Sequence, residues 1–143
     1  MRGLVAVGAG LGATFALAFA FEGVIGLLVP TAMDAQGRVT SPAILGVLLA
    51  TGVVSAAIGG WLTARLAESR HMGHAVFLSA VALALVTFIS ILNWERAPGA
   101  YHVASWILLP LACIAGASVR VQALREEFGA AFDDEPWALS DAN

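Results

Sequence analysis

Glu22 is the residue whose type and position most directly suggest chemistry in this sequence. It lies in the stretch TFALAFAFEGVIGLLVP and is the only charged residue from Gly3 to Val29. A carboxylate at the centre of a bilayer costs on the order of 3 kcal/mol by insertion-derived scales, so such a group must face a protein interior, contact a partner or take up a proton. Because no lysine or arginine lies within the apolar segments, we expect Glu22 to be an uncharged hydrogen-bonding group for much of the time.

Two interpretations of Glu22 belong to different functional classes. In the first, the carboxyl hydrogen-bonds between helices and fixes their register, a contribution of about 1 kcal/mol, or it contacts a partner subunit. In the second, it alternates between protonated and ionised states, as in a small proton-coupled transporter. Pro110 leaves the carbonyl of Trp106 without its helical donor, which would give Glu22 an acceptor. Residue counts along antiparallel helices place four residues at a depth similar to that of Glu22: Thr51, Thr87, Ser90 and Pro110.

The segment ESRHMGH contains metal-ligating side chains at three-residue steps: Glu68, His71 and His74. On a continuous helix they would fan over about 120°, which brings two of them, rarely all three, onto one metal ion. Metal sites usually need a further ligand and supporting hydrogen bonds, and interfacial histidines beside arginines more often touch lipid headgroups. We therefore expect no metal and no other cofactor, and these three residues are the candidate ligands if a metal does bind.

No pattern in the sequence is typical of an enzyme or of a nucleic-acid-binding protein. No serine has a nearby histidine–acid pair, no glycine-rich loop follows a strand, and no zinc pattern is present. The basic residues form no patch that would bind nucleic acid. We therefore expect a protein without enzymatic activity.

The end of the chain has a different composition from the rest. Residues 120–143 contain two arginines and six acidic residues, whereas residues 1–119 contain five arginines and four acidic residues. Three apolar side chains alternate with the acids, a pattern typical of segments that dock into a basic, apolar groove of a protein partner: Phe132, Trp137 and Leu139. The alternative is a solvated terminus that its charge keeps away from an anionic membrane surface.

Composition and hydropathy indicate the elements that must position these residues. Of 143 residues, 59% are hydrophobic and only 12% are charged, which lies outside the range of ordinary soluble domains. About 20 apolar residues suffice for a helix to cross a bilayer, and four runs are long enough. The sequence thus predicts four transmembrane helices in one domain over residues 1–129, with spans at about 3–29, 42–64, 75–94 and 102–120. The last helix is expected to extend to about 128, with Gly129 as its stop, followed by an acidic, disordered tail over 130–143.

Short connections predict that these helices form a compact antiparallel bundle. Ser41 followed by Pro42 is typical of an N-cap and the first helical residue. Helices associate in lipid through small residues that let their backbones approach closely. Small residues recur at four-residue spacing, and they serve equally for packing within one chain or in a homo-oligomer: Gly8, Gly12, Gly52, Ala56, Gly60, Ala112 and Gly116.

The distribution of arginine predicts how the bundle is oriented. Basic residues beside short loops stay on the cytoplasmic side. Five arginines fall on one side and only Arg38 and Arg96 on the other, which places both termini in the cytoplasm: Arg2, Arg65, Arg70, Arg120 and Arg125. A chain without lysine and rich in Ala, Gly and Val suggests a bacterial multi-pass inner-membrane protein. An alternative for the N-terminus is a cleaved signal peptide ending near Ala20.

Two stretches resemble known membrane proteins. The segment GGWLTARLAESRHMGHAV, residues 59–76, resembles a pattern of small bacterial four-helix inner-membrane proteins whose activity is uncharacterised, and so implies none. The words FEGVIG around Glu22 resemble the first-helix acid of the small multidrug resistance transporters, which implies proton-coupled export. We expect a lipid-embedded accessory or structural subunit with a protein partner or a second copy of itself, and the alternative is a small transporter that uses Glu22.

Overall fold

The computed structural model describes residues 2–32, 34–39, 41–67 and 71–133. Within these ranges the protein is all-helical and has no β-strand. The four long helices are α1 (Arg2–Leu28), α2 (Pro42–Leu66), α3 (His71–Leu92) and α4 (Gly99–Asp133). All four are long and apolar enough to cross a membrane. The predictions of an all-α protein and of a multi-pass membrane protein are confirmed at this level.

The helix ends agree with the sequence patterns at some places and differ at others. Ser41 is the N-cap of α2 and has an extended backbone (φ −78°, ψ 119°), and Pro42 is the first helical residue as predicted. The predicted stop at Gly129 is wrong, because α4 continues without a break to Asp133. A glycine inside a helix costs only about 1 kcal/mol relative to alanine, and the two alanines that follow Gly129 favour helix.

The four helices pack side by side as an antiparallel bundle. The most extensive contacts of α2 are with α4 and α1, whereas α3 packs mainly on α4 and touches α1 least. Two short 3-10 helices, Pro30–Ala32 and Trp94–Arg96, lie in the connections after α1 and α3. We call the end of the bundle that contains these connections the distal end, and the end that contains Gly3 and the start of α3 the proximal end.

Backbones of α1 and α2 touch where Gly10 faces Gly59. A Cβ atom on either glycine would lie 2.6 Å from the carbonyl oxygen of the other, and it would also collide with the hydroxyl of Thr63 or Thr14. Thr14 Oγ1 donates to the Gly10 carbonyl at 2.9 Å, and Thr63 Oγ1 donates to the Ala6 carbonyl at 3.3 Å. The pair of glycines is therefore required by the close approach of the two helices.

A second close approach joins α2 to α4. Gly60 packs on the carbonyl of Cys113, and Gly116 packs on the carbonyl of Ala57. Side chains from all four helices form the adjacent buried core: Val7, Ala56, Leu78, Ala112 and Cys113. The small residues of α2 and α4 thus let these two helices form the centre of the bundle.

The predicted packing pair of α1, Gly8 and Gly12, lies elsewhere. Nothing lies within 4 Å of a Cβ atom added at either position. The contact is made by Gly10, two residues from each, because helix positions two apart point in nearly opposite directions. Gly52, at the distal end of the α2 ridge, meets only the Leu109 side chain, at 3.9 Å.

Candidate functional site

Helix α1 packs against the bundle only along its proximal half. Ala6, Val7, Gly10 and Thr14 are buried. From Phe19 to the end of the helix every residue is exposed except Ile25, which is half-buried. The distal half of α1 therefore stands away from the other three helices and leaves a cleft.

The cleft has a volume of about 320 Å³ and is bounded by all four helices. This volume lies at the lower end of the range for small-molecule sites in proteins. Its apolar walls include residues from each helix: Phe15, Phe19, Leu48, Leu49, Val86 and Leu109. Its polar groups are gathered in the distal half: Glu22, Thr51, Ser90, Asn93, Arg96, Tyr101, His102 and Ser105. An apolar site with a few convergent polar groups is the usual form of a ligand pocket.

Three of the residues that depth counting grouped together line this cleft. They are Glu22, Thr51 and Ser90. Thr87 is half-buried on α3 and does not line the cleft. The carbonyl of Pro110 accepts a hydrogen bond from Ser79 Oγ at 3.1 Å and so joins α3 to α4 outside the cleft.

Glu22 lies on the part of α1 that stands away from the bundle. Its side chain is exposed. Its carboxyl group makes no hydrogen bond or ion pair with any residue that the structure describes, so the expected interhelical hydrogen bond is not formed there. The Tyr101 phenol also lines the cleft, and the charge of Glu22 acts on it electrostatically. The carboxyl is thus available to a ligand or a proton.

His102, which the sequence predicts to be an interfacial polar residue near the outer mouth, lines the cleft. It is only 5% exposed, and its Nε2 atom is buried without a hydrogen-bond partner among the described residues. An unpartnered buried polar group costs about 1–3 kcal/mol. Its ring stacks on Trp94, with centroids 4.8 Å apart and an angle of 15° between the planes, and Tyr101 contacts it edge-on at 5.9 Å. The imidazole is therefore part of the cleft wall, but its Nε2 atom is enclosed by protein, so a ligand can reach this atom only after the ring turns.

Two hydroxyl groups of the cleft are already engaged as donors. Ser105 Oγ donates to the Tyr101 carbonyl at 2.9 Å, and Thr51 Oγ1 donates to the Leu48 carbonyl at 3.0 Å. Their oxygen atoms still have lone pairs that can accept a hydrogen bond from a ligand. These two hydroxyls therefore offer acceptors to a ligand, and the guanidinium of Arg96 offers donors.

Two connections cover the distal end of the cleft. The amide of Val39 donates to the Arg96 carbonyl at 2.9 Å, and Val39 is 7% exposed. Asp34 folds the first connection, because its carboxylate accepts the amides of Gln36 and Arg38 at 2.9 and 2.8 Å. Gly37 has φ of 75°, a left-handed conformation that suits glycine. This arrangement places Arg96 at the rim.

The other candidate residues lie away from the cleft. His71 Nδ1 donates to the Ala64 carbonyl at 2.8 Å, where it satisfies the last turn of α2. The imidazole of His74 packs against Gly3. Glu68 lies outside the described residues, and within these residues no three potential ligands are close enough to hold a metal ion. Phe132 belongs to α4, and Trp137 and Leu139 lie outside the described residues.

Comparison with protein-family models, with curated proteins and with solved structures found no match to this chain. The functional conclusion therefore depends on the geometry of the distal cleft.

Proposed function

We propose that this chain is a small proton-coupled membrane transporter without enzymatic activity, and that the distal cleft is its substrate site. One observation carries the proposal: a cleft of small-molecule size contains an unpaired carboxyl group, Glu22, and a buried imidazole with an unused nitrogen, His102. A purely structural polar pair would be expected to use these groups on each other or on the backbone. Their separate, unpartnered placement favours a ligand between them.

Proton coupling follows from the use of one carboxyl group for two purposes. The ionised Glu22 attracts a hydrogen-bond donor of the substrate, and in an apolar cleft this attraction is stronger than in water. When Glu22 takes up a proton, it loses its charge and the substrate is released. Proton and substrate therefore compete for the same site, which couples the movement of one to the movement of the other.

The orientation proposed from arginine places the cleft on the outside of a bacterial inner membrane. Five arginines lie on the proximal side of the predicted spans and two on the distal side, so the proximal end and both termini belong in the cytoplasm. The substrate would then enter or leave the cleft from the external side.

The test is a flux assay with the full chain in proteoliposomes that contain a pH-sensitive dye. A panel of small amphipathic solutes is added outside at equal osmolarity, and internal pH is followed. We expect at least one solute to drive proton movement in the wild type and none to do so in Glu22→Gln. Glu95→Gln is the matched control, because this acid lies at the distal end but does not line the cleft. Flux that persists in Glu22→Gln would eliminate the transporter proposal.

A second candidate is the accessory subunit, which is favoured by the distal half of α1. Large apolar side chains there are bare, including Phe19 at 62% and Leu27 at 82% exposed, and a partner helix could cover them in place of lipid. The test is co-purification from native membranes with variants that carry Ala at Phe19 and Leu27, alongside a chain that lacks residues 130–143. Loss of one partner protein in the first variant, with no solute-driven flux in the wild type, would favour the subunit over the transporter.

A further inference from the structure

We propose that the ligand of the distal cleft is a small zwitterion with an apolar substituent. Its ammonium group binds Glu22 and His102, and its anionic group binds Arg96 at the rim. This inference rests on the proposed function, because it names the chemical class of the substrate for the same cleft. Three properties of the cleft lead to it: the charges that line it, the unused imidazole nitrogen, and the apolar walls.

The cleft contains one negative and one positive side chain, and they do not pair. Glu22 and Arg96 are its only formally charged lining residues within the described ranges, and no ion pair joins them there. Both side chains are exposed, so each can pair with a group of opposite charge on a ligand that enters the cleft. A ligand that carries both signs would compensate both side chains, whereas a simple cation or a simple anion would leave one of them unpaired.

Glu22 and His102 line the polar part of the cleft together, although the Nε2 atom of His102 is enclosed by protein. A primary ammonium group has three N–H donors, so one can reach Glu22, one a hydroxyl oxygen such as that of Ser105, and one the imidazole nitrogen once the ring turns toward the cleft. The anionic group of the ligand then points to the rim, where the guanidinium of Arg96 can bind two oxygen atoms.

The remaining walls accept an apolar substituent of limited size. Phe15 and Phe19 of α1 and Leu48 and Leu49 of α2 are among the apolar residues that line the cleft. The volume of about 320 Å³ leaves room for a phenyl or branched alkyl group below the polar head. A free amino acid with an apolar side chain and the headgroup of an ethanolamine phospholipid, followed by its acyl chains, both have this chemistry.

The experiment uses three solutes that share one apolar body and differ only in charge: phenylalanine, phenethylamine and 3-phenylpropionate. Binding to the purified full chain in a neutral detergent is measured by calorimetry. We expect phenylalanine to bind at least about tenfold more tightly than either singly charged analogue, since each lost charge-assisted contact is typically worth that factor or more. A parallel titration with short-chain phosphatidylethanolamine distinguishes the two sources: tighter lipid binding that competes with phenylalanine assigns the site to the lipid headgroup.

Variants test the position of each charge. Arg96→Gln is expected to remove the advantage of phenylalanine over phenethylamine, and Glu22→Gln its advantage over 3-phenylpropionate. Arg38→Gln is the control, because this arginine lies at the distal end outside the cleft, and it should leave all three affinities unchanged. Equal binding of phenylalanine and phenethylamine, or no binding of phenylalanine or phosphatidylethanolamine, would overturn the zwitterion. Those outcomes differ from failure of the transporter, which is loss of solute-driven proton flux for every solute.

Discussion

His102 and Glu22 differ from the other polar residues of the bundle in what they contact. Thr14, Thr63 and Ser79 each donate a hydrogen bond to a backbone carbonyl, and such bonds hold helices together without requiring a ligand. His102 is as deeply buried but leaves its Nε2 unused. An unfavourable buried group in the wall of a cleft is typical of a binding residue, whose cost is offset when a ligand binds.

Replacement of His102 by leucine is therefore expected to leave the stability of the protein unchanged or to raise it, while ligand binding is lost. Removal of an unpartnered polar group in favour of an apolar one relieves a cost of about 1–3 kcal/mol, less the stacking on Trp94. Thermal unfolding in detergent and calorimetric binding of phenylalanine measure the two effects. Leu78→Ala, in the buried core, is the control that should lose stability. A loss of stability in His102→Leu as large as that of the control would show that His102 is a structural residue.

Gly59→Val is expected to lower the free energy of unfolding by about 1–3 kcal/mol or more, because the new side chain would collide with the carbonyl of Gly10 and with Thr14. A backbone carbonyl cannot rotate out of the way, so the two helices must separate. Gly8→Val is the control, since nothing lies within 4 Å of that position. Unfolding followed by tryptophan fluorescence in mixed micelles compares them, and an equal effect of the two variants would contradict the described contact.

At the scale of elements, α1 is divided into a packed half and a free half. The proximal half meets α2 through Gly10 and Thr14, whereas the distal half beyond Phe19 has no buried residue. Helices α2 and α4 remain in contact through the close approach of Gly60 and Gly116, and α3 packs on α4. Because three helices form a fixed wall and half of the fourth is free, closure of the cleft requires movement of only one segment.

Amide hydrogen exchange should reveal this division. In detergent, the amides from Phe19 to Leu28 are expected to exchange at least about tenfold faster than those from Ala6 to Thr14, because local opening is easier where few buried contacts must be broken. Mass spectrometry of peptic peptides from the two halves gives the rates. A bound ligand should slow exchange in the distal half only. Equal protection of both halves in the ligand-free protein would contradict the separation of the distal half of α1 from the other helices.

At the scale of the whole molecule, the sequence predicts the four helices well and the cleft only in part. The number of helices can be predicted because lipid offers no hydrogen bonds to the backbone, so each long apolar run must form a helix that satisfies its own. The positions of Gly60 and Gly116 at helix contacts follow from their spacing and size. The closest contact of α1 lies at Gly10 and not at the predicted glycines, because the position of the neighbouring helix decides which residue is in contact. Helix α4 continues through Gly129, because the alanines that follow this residue favour helix.

Parts of the cleft could not be predicted without the tertiary structure. Residue counts from the helix ends predicted that Glu22, Thr51 and Ser90 lie at the same depth in the bilayer, since antiparallel helices cross it with the same rise per residue. It did not indicate that the distal half of α1 leaves the bundle, nor that the ring of His102 turns inward beneath Trp94. A histidine at the first residue of a predicted span could equally lie at the lipid surface. The available signal was the cluster of Trp94, Tyr101 and His102 around one connection.

The most direct measurement of the central claim is infrared difference spectroscopy of the full chain in lipid, before and after addition of phenylalanine. If the substrate displaces a proton from Glu22, the carbonyl stretch of a protonated carboxylic acid should decrease while a carboxylate band increases, and both changes should be absent in Glu22→Gln and present in Glu95→Gln. An unchanged carboxyl signal in the wild type, or the same change in Glu22→Gln, would contradict the assignment of Glu22 as the shared site of proton and substrate.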